Sequence, residues 1–117
     1  MYGVDTTVDL RPDAETLSDR GKVYSTSQKK AVPGHQYSWL GRIVSQAPAW
    51  FAPRDVERVT TGDTPAAMAA RQVLRLAVTL AVVGVLNVVV ADSGYAKAPF
   101  LAAFVGLTSP SVLVRLP

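Results

Sequence analysis

The chain contains no cysteine and a single histidine, His35. Without thiols there are no disulfides, no thiolate metal ligands and no cysteine nucleophile, although this absence assigns no redox compartment. One histidine excludes two-histidine metal sites and the H-E-x-x-H pattern. Lying in Pro33-Gly34-His35-Gln36, it reads as a surface loop residue. Glycine-rich phosphate loops are missing too: neither G-x-x-x-x-G-K followed by Ser or Thr, nor G-x-G-x-x-G, occurs. Serine and threonine are plentiful but have no partner base that makes one a nucleophile. No basic run exceeds Lys29-Lys30, and basic and aromatic residues do not interleave along the chain as they do in single-strand binders, so nucleic acid is not expected as a partner.

The net charge of +3 is unevenly placed. Up to Asp63 there are eight basic and eight acidic residues, so the first half is neutral. The excess comes from Arg71, Arg75, Lys97 and Arg115 against Asp92 alone, a pattern of charges flanking membrane segments. Asp5, Asp9, Asp13, Glu15 and Asp19 argue against an acid-poor transit peptide, and the first twenty residues lack the apolar core of a secretory signal. In a segment with no scaffold, Asp5, Asp9, Asp13 and Glu15 read as solvated acids and not as a carboxylate site.

What the chain does have is one long apolar run. From Val73 to Ala91 only Arg75, Thr79 and Asn87 interrupt nineteen residues. At about 1.5 Å per residue, a helix of that length reaches roughly 28 Å, close to the ~30 Å thickness of a bilayer's hydrocarbon core. Asp63-Thr64-Pro65 supplies a cap and a proline for the first helical position, and Asp92-Ser93-Gly94 a stop. The expectation is a transmembrane helix over 65–91. Within a sector of about 60° it aligns Ala66, Ala70, Ala77, Ala81, Gly84 and Ala91, a small-residue stripe for packing against another helix, with Asn87 beside it. Arg71, Arg75 and Arg115 read as membrane-boundary charges, Arg75 by snorkelling.

After a turn at 92–97, residues 98–114 form a second apolar stretch interrupted by Pro110. A Pro-kinked second pass makes a hairpin, favoured here over a single span with a surface tail. Arg54, Arg58, Arg71, Arg75 and Arg115 then share one side and Lys97 the other, which places the arginines on the cytoplasmic, matrix or stromal side.

Residues 1–64 read as an extended soluble arm. Val4, Val8, Leu10, Leu17 and Val23 are too sparse for a continuous face, apart from a short helix around Asp13 to Asp19. Between Pro33 and Pro48, Trp39, Leu40, Ile43, Val44 and Ala47 follow helical spacing, predicting a short amphipathic helix near 36–47. Trp39, Leu40 and Ile43 on that helix, with Trp50 and Phe51, are the expected anchors for a partner or membrane interface.

Taken together, these features predict an all-α membrane protein with an irregular N-terminal arm. The expected role is that of a non-catalytic accessory subunit of a large membrane complex, foremost an organellar energy-transducing one. The respiratory chain of the mitochondrial inner membrane comes first, with a thylakoid or bacterial inner membrane as alternatives. The alternative role is a membrane-anchored adapter whose arm folds on a soluble partner. Expected partners are other subunits and lipid. No catalytic, cofactor-binding or metal-binding residue is assigned, and no cofactor is expected.

Overall fold

The computed structural model describes residues 1–13, 19, 21–44, 50–80 and 86–117, and it is built on a β-sheet. Strand β1 (Tyr2–Leu10), β2 (Gly21–Ser25), β3 (Lys30–Val44) and β4 (Trp50–Val59) precede helix α1 (Pro65–Thr79); β5 (Val88–Ala91), a single 3-10 turn (Ser93–Tyr95), helix α2 (Ala98–Ala102) and β6 (Ser111–Val114) follow. The six-stranded sheet runs β2-β3-β1-β5-β6, with β4 also paired to β3. β1 is antiparallel to β3 from Tyr2 opposite Arg42 to Leu10 opposite Gly34. The long β3 holds β2 against its first residues and β4 against its last, both antiparallel. β5 and β6 extend the other side of β1 in parallel.

The local reasons are legible in the residues. In β1, Tyr2, Val4, Thr6, Val8 and Leu10 alternate with Gly3, Asp5, Thr7 and Asp9, the period of two that puts apolar and polar groups on opposite faces. The β2–β3 hairpin turns through Thr26–Lys29, where the Ser25 hydroxyl accepts from Gln28 N–H at 3.2 Å and Lys29 takes φ 52°. Thr64 caps α1, its hydroxyl accepting from Ala67 N–H at 3.1 Å with Pro65 next, so this helix begins where Asp63-Thr64-Pro65 predicts.

Helix α1 covers one face of the sheet. Tyr2, Val4, Leu40, Val89 and Ala91 from the strands meet Ala69, Ala70, Val73 and Leu76 from α1, with Tyr95 and Phe100 closing the top. Each fully buried Val, Leu or Phe stabilises by roughly 1.5–3 kcal/mol relative to exposure. Within this apolar layer Ser38 Oγ donates to Gln72 Oε1 at 2.6 Å and Gln72 Nε2 returns a bond to the Ser38 carbonyl at 3.1 Å, fixing helix against strand.

This architecture overturns the all-α expectation. The apolar run 73–91 is not one helix: α1 ends at Thr79 with Leu80 as its cap, residues 81–85 lie outside those described, and Val88–Ala91 is strand β5. A half-buried helix followed by a strand beside the sheet centre reads, in sequence, as one uninterrupted apolar stretch, and Val88-Val89-Val90 carries the β-branching that favours a strand. Residues 98–114 form no second pass but the short α2, a turn and β6, which Pro110 enters through a cis peptide. The amphipathic helix expected near 36–47 is strand β3 as far as Val44, with 45–47 outside the described residues. There Trp39 and Leu40 are apolar on opposite faces of one strand, and such two-sided pairs imitate helical spacing. The supposedly irregular arm supplies β1 to β4, while the helix expected around Asp13 to Asp19 falls mostly on undescribed residues.

Among the described residues no helix is long and apolar enough to cross a membrane. The membrane location inferred from 73–91, mitochondrial inner membrane or otherwise, falls with that helix.

Candidate functional site

β1 and β5 are paired only at Tyr2 with Val89 and Gly3 with Val90; beyond these the two parallel strands part. Continuing that register by two residues sets Asp5 beside Asp92. Neighbouring strands lie about 4.8 Å apart, so the two carboxylates stand within the span of one shared ligand. They occupy the crevice at the carboxyl ends of parallel strands, the place where open α/β sheets take ligands.

Each carboxylate is held by its own backbone. Asp5 Oδ1 accepts from Thr6 N–H at 2.8 Å, and Asp92 Oδ1 accepts from Gly94 N–H at 2.8 Å while capping the 3-10 turn. One oxygen of each is engaged locally, which fixes the side chain. Among the described acids, Asp9, Asp19, Asp55, Glu57 and Asp63 all sit in ion pairs with arginines, but Asp5 and Asp92 do not.

The pair is the common wall of two cavities. On the helix side a cavity of about 430 Å³ is bounded by Thr6, Tyr95, Lys97 and the first turn of α1. On the other side one of about 410 Å³ is bounded by Ile43, Phe51, Val90 and Arg115. A third, of about 270 Å³, continues from Asp5 over Thr7 between Trp39 and Phe51. Trp39 is pinned by its indole N–H donating to Thr7 Oγ1 at 2.8 Å. Phe51 lies across Gly41, where a Cβ would come within 2.2 Å of the ring, so glycine is what lets the ring lie flat on β3.

Tyr95 stands out within the first cavity. It is 5 % exposed, its ring packs on Phe100 with centroids 5.3 Å apart, and its hydroxyl is buried without a hydrogen-bond partner. Thr6 lies near but does not meet hydrogen-bond geometry. Burial, then the charges of Asp5 and Asp92, push its pKa up to about 12.

The residues singled out from sequence distribute as follows. Trp39, Ile43 and Phe51 come together on the sheet face away from α1, with Trp50 exposed at the start of β4 and Leu40 in the core. Ala70 is buried beneath α1, Ala77 is partly buried on it, and Ala91 is buried on β5. Asn87 precedes β5 and its carbonyl accepts from Ser111 N–H at 2.9 Å; Ala81 and Gly84 lie outside the described residues. Arg71 pairs with Asp63, Arg75 with Asp55 and Glu57, and Arg115 lines the second cavity. His35 sits in β3, its Nε2 3.1 Å from Arg58 Nη1.

Sequence reasoning took Asp5 for a solvated acid and Asp92 for a helix stop. The missed signal is shared: Asp5 lies on the polar phase of an alternating strand, and Asp92 ends a β-branched apolar run of strand length. Among the described residues no group of three or more His, Cys, Asp or Glu gathers around a metal position. A two-carboxylate site suits Mg²⁺, which commonly takes one or two protein carboxylates and completes its shell with water and substrate phosphate. Comparison with protein-family models, with curated proteins and with solved structures finds no match to this chain.

Proposed function

We propose that this chain carries a divalent-cation-dependent phosphoryl-transfer site acting on the phosphodiester backbone of a nucleic acid. One observation carries the reading: Asp5 and Asp92, without ion-pair partners, are brought side by side where β1 and β5 part. A cation held there neutralises charge developing on a transferring phosphoryl group. The substrate class follows from the surroundings. Cavities on both sides of the pair suit a chain passing through, Lys97 and Arg115 offer charge for a polyanion, and Trp39 and Phe51 offer faces for stacking bases. In the hydrolytic form water attacks phosphorus, the bond to one sugar oxygen breaks, and that oxygen gains a proton.

The experiment is incubation of end-labelled single- and double-stranded oligonucleotides with the protein and Mg²⁺ or Mn²⁺. The expected result is cation-dependent cleavage, abolished by chelation and reduced about 100-fold or more in Asp5→Asn and in Asp92→Asn. Absence of both Mn²⁺ binding by electron paramagnetic resonance and of any cation-dependent product sinks the reading.

A second reading keeps the chain non-catalytic. The sheet face away from α1 exposes Trp50, Phe51 and Leu113, which supports a subunit packed within a larger assembly. This retains the accessory role expected from sequence without the membrane helix from which it was drawn. Stable co-purification with one complex, together with cleavage indifferent to Asp5→Asn, favours it.

A further inference from the structure

We propose that the Tyr95 hydroxyl, Lys97 and the first turn of α1 form a phosphate subsite facing the carboxylate pair, with Tyr95 donating a hydrogen bond to a phosphate oxygen. The proposal deepens the phosphoryl-transfer reading and rests on it for the identity of the ligand.

Three features meet in the helix-side cavity. The first is a buried hydroxyl with no partner in the fold. Leaving such a group unsatisfied destabilises a protein by about 1–3 kcal/mol, and phenylalanine would fill the same place against Phe100 without that cost. A hydroxyl retained in this position is explained by a ligand that satisfies it.

The second is the amino end of α1, a fifteen-residue helix whose Thr64–Ala67 turn lines the same cavity. Thr64 takes up Ala67 N–H through its hydroxyl and Met68 N–H through its carbonyl, and Pro65 has no N–H to give. Ala66 N–H is the first-turn donor these contacts leave, at the positive end of the helix dipole. The third is the Lys97 ammonium, exposed on the wall.

The arrangement separates charges in a way that matches one ligand type. Carboxylates on one wall attract a cation; a hydroxyl, an N–H and an ammonium on the other attract an anion. A phosphate bridging to a divalent cation satisfies both. Because Tyr95 titrates far above neutrality, it acts as a donor and not as a base.

The test uses inorganic phosphate as the probe, titrated calorimetrically into the full chain with Mg²⁺ present, and without metal into the double variant Asp5→Asn/Asp92→Asn. Asparagine keeps the cap on the 3-10 turn while removing the repulsion a lone anion would meet. Adding Tyr95→Phe to each background is expected to weaken phosphate binding about 10-fold, with thermal stability unchanged or slightly raised. Equal phosphate affinity with tyrosine or phenylalanine overturns the proposal. So does a clear loss of stability in Tyr95→Phe, since the hydroxyl would then already be bonded inside the fold. A wild-type chain that binds no Mn²⁺ counts against the phosphoryl-transfer reading alone, because the metal-free titrations still decide the role of Tyr95.

Discussion

The carboxylates of this molecule fall into two regions with opposite treatment. Along the α1–β4 flank each one meets an arginine: Asp63 is bound by Arg71, and Asp55 and Glu57 share Arg75. At the parting of β1 and β5, Asp5 and Asp92 are given only backbone N–H groups, each on a single oxygen. Neutralised acids tie one element to another; acids set side by side without a cation raise the free energy of the folded state through mutual repulsion. An arrangement of the second kind is expected where a ligand supplies the missing charge.

The sharpest way to break that contrast is to remove charge on each side of it. Asp92→Asn should lower cation-dependent cleavage by about 100-fold or more, while its melting temperature stays level or rises as repulsion is relieved. A melting temperature that drops as cleavage persists would assign Asp92 to the structural group. Next in size is Gln72→Ala, which strands the buried Ser38 and should cost about 1–3 kcal/mol in denaturant unfolding without changing Mn²⁺ affinity.

An alkaline titration separates the regions further. Tyr95 has a folded pKa raised from 10.0 to about 12, so the folded state holds its proton while the unfolded chain loses it. The stability linked to this proton is intact below pH 10 and is lost as pH climbs toward 12. Tyr95→Phe should flatten that part of the stability profile, and Mg²⁺ in the crevice should shift it upward by offsetting the two aspartates. The smallest effect is reserved for the flank: Arg75→Ala, at an exposed ion pair, should cost no more than about 1 kcal/mol and leave cleavage unaltered. Loss of activity there would erase the distinction between the regions.

How far the residues alone foretell this arrangement differs along the chain. The α1 start was legible because Thr64-Pro65 caps act locally. The end of α1 was not, since Val73 to Ala91 is apolar for two reasons at once, a helix face on the core and then a strand on the same core. Hydropathy cannot separate those, whereas Val88-Val89-Val90 and the loop polarity of Asn87 are the residues that could have. In β1 the alternation was present but spoiled for the eye by Thr6 on the apolar phase. The site was hidden for a different reason. Asp5 and Asp92 are eighty-seven positions apart in sequence, and only the parallel pairing of their strands makes them neighbours. Likewise Trp39, Phe51, Lys97 and Arg115 do not interleave along the chain, yet the fold arranges them around the carboxylate crevice.

The brief ladder of Tyr2 with Val89 and Gly3 with Val90 has a consequence for how the gene can vary. Side chains on a strand alternate between faces, so losing or gaining one residue between Asn87 and Asp92 would turn Asp92 away from Asp5 even if every apolar contact were rebuilt. Substitutions among Val88, Val90 and Leu113 should be forgiven by the chemistry, while a frame-preserving one-codon deletion in β5 should abolish it in a protein that still folds.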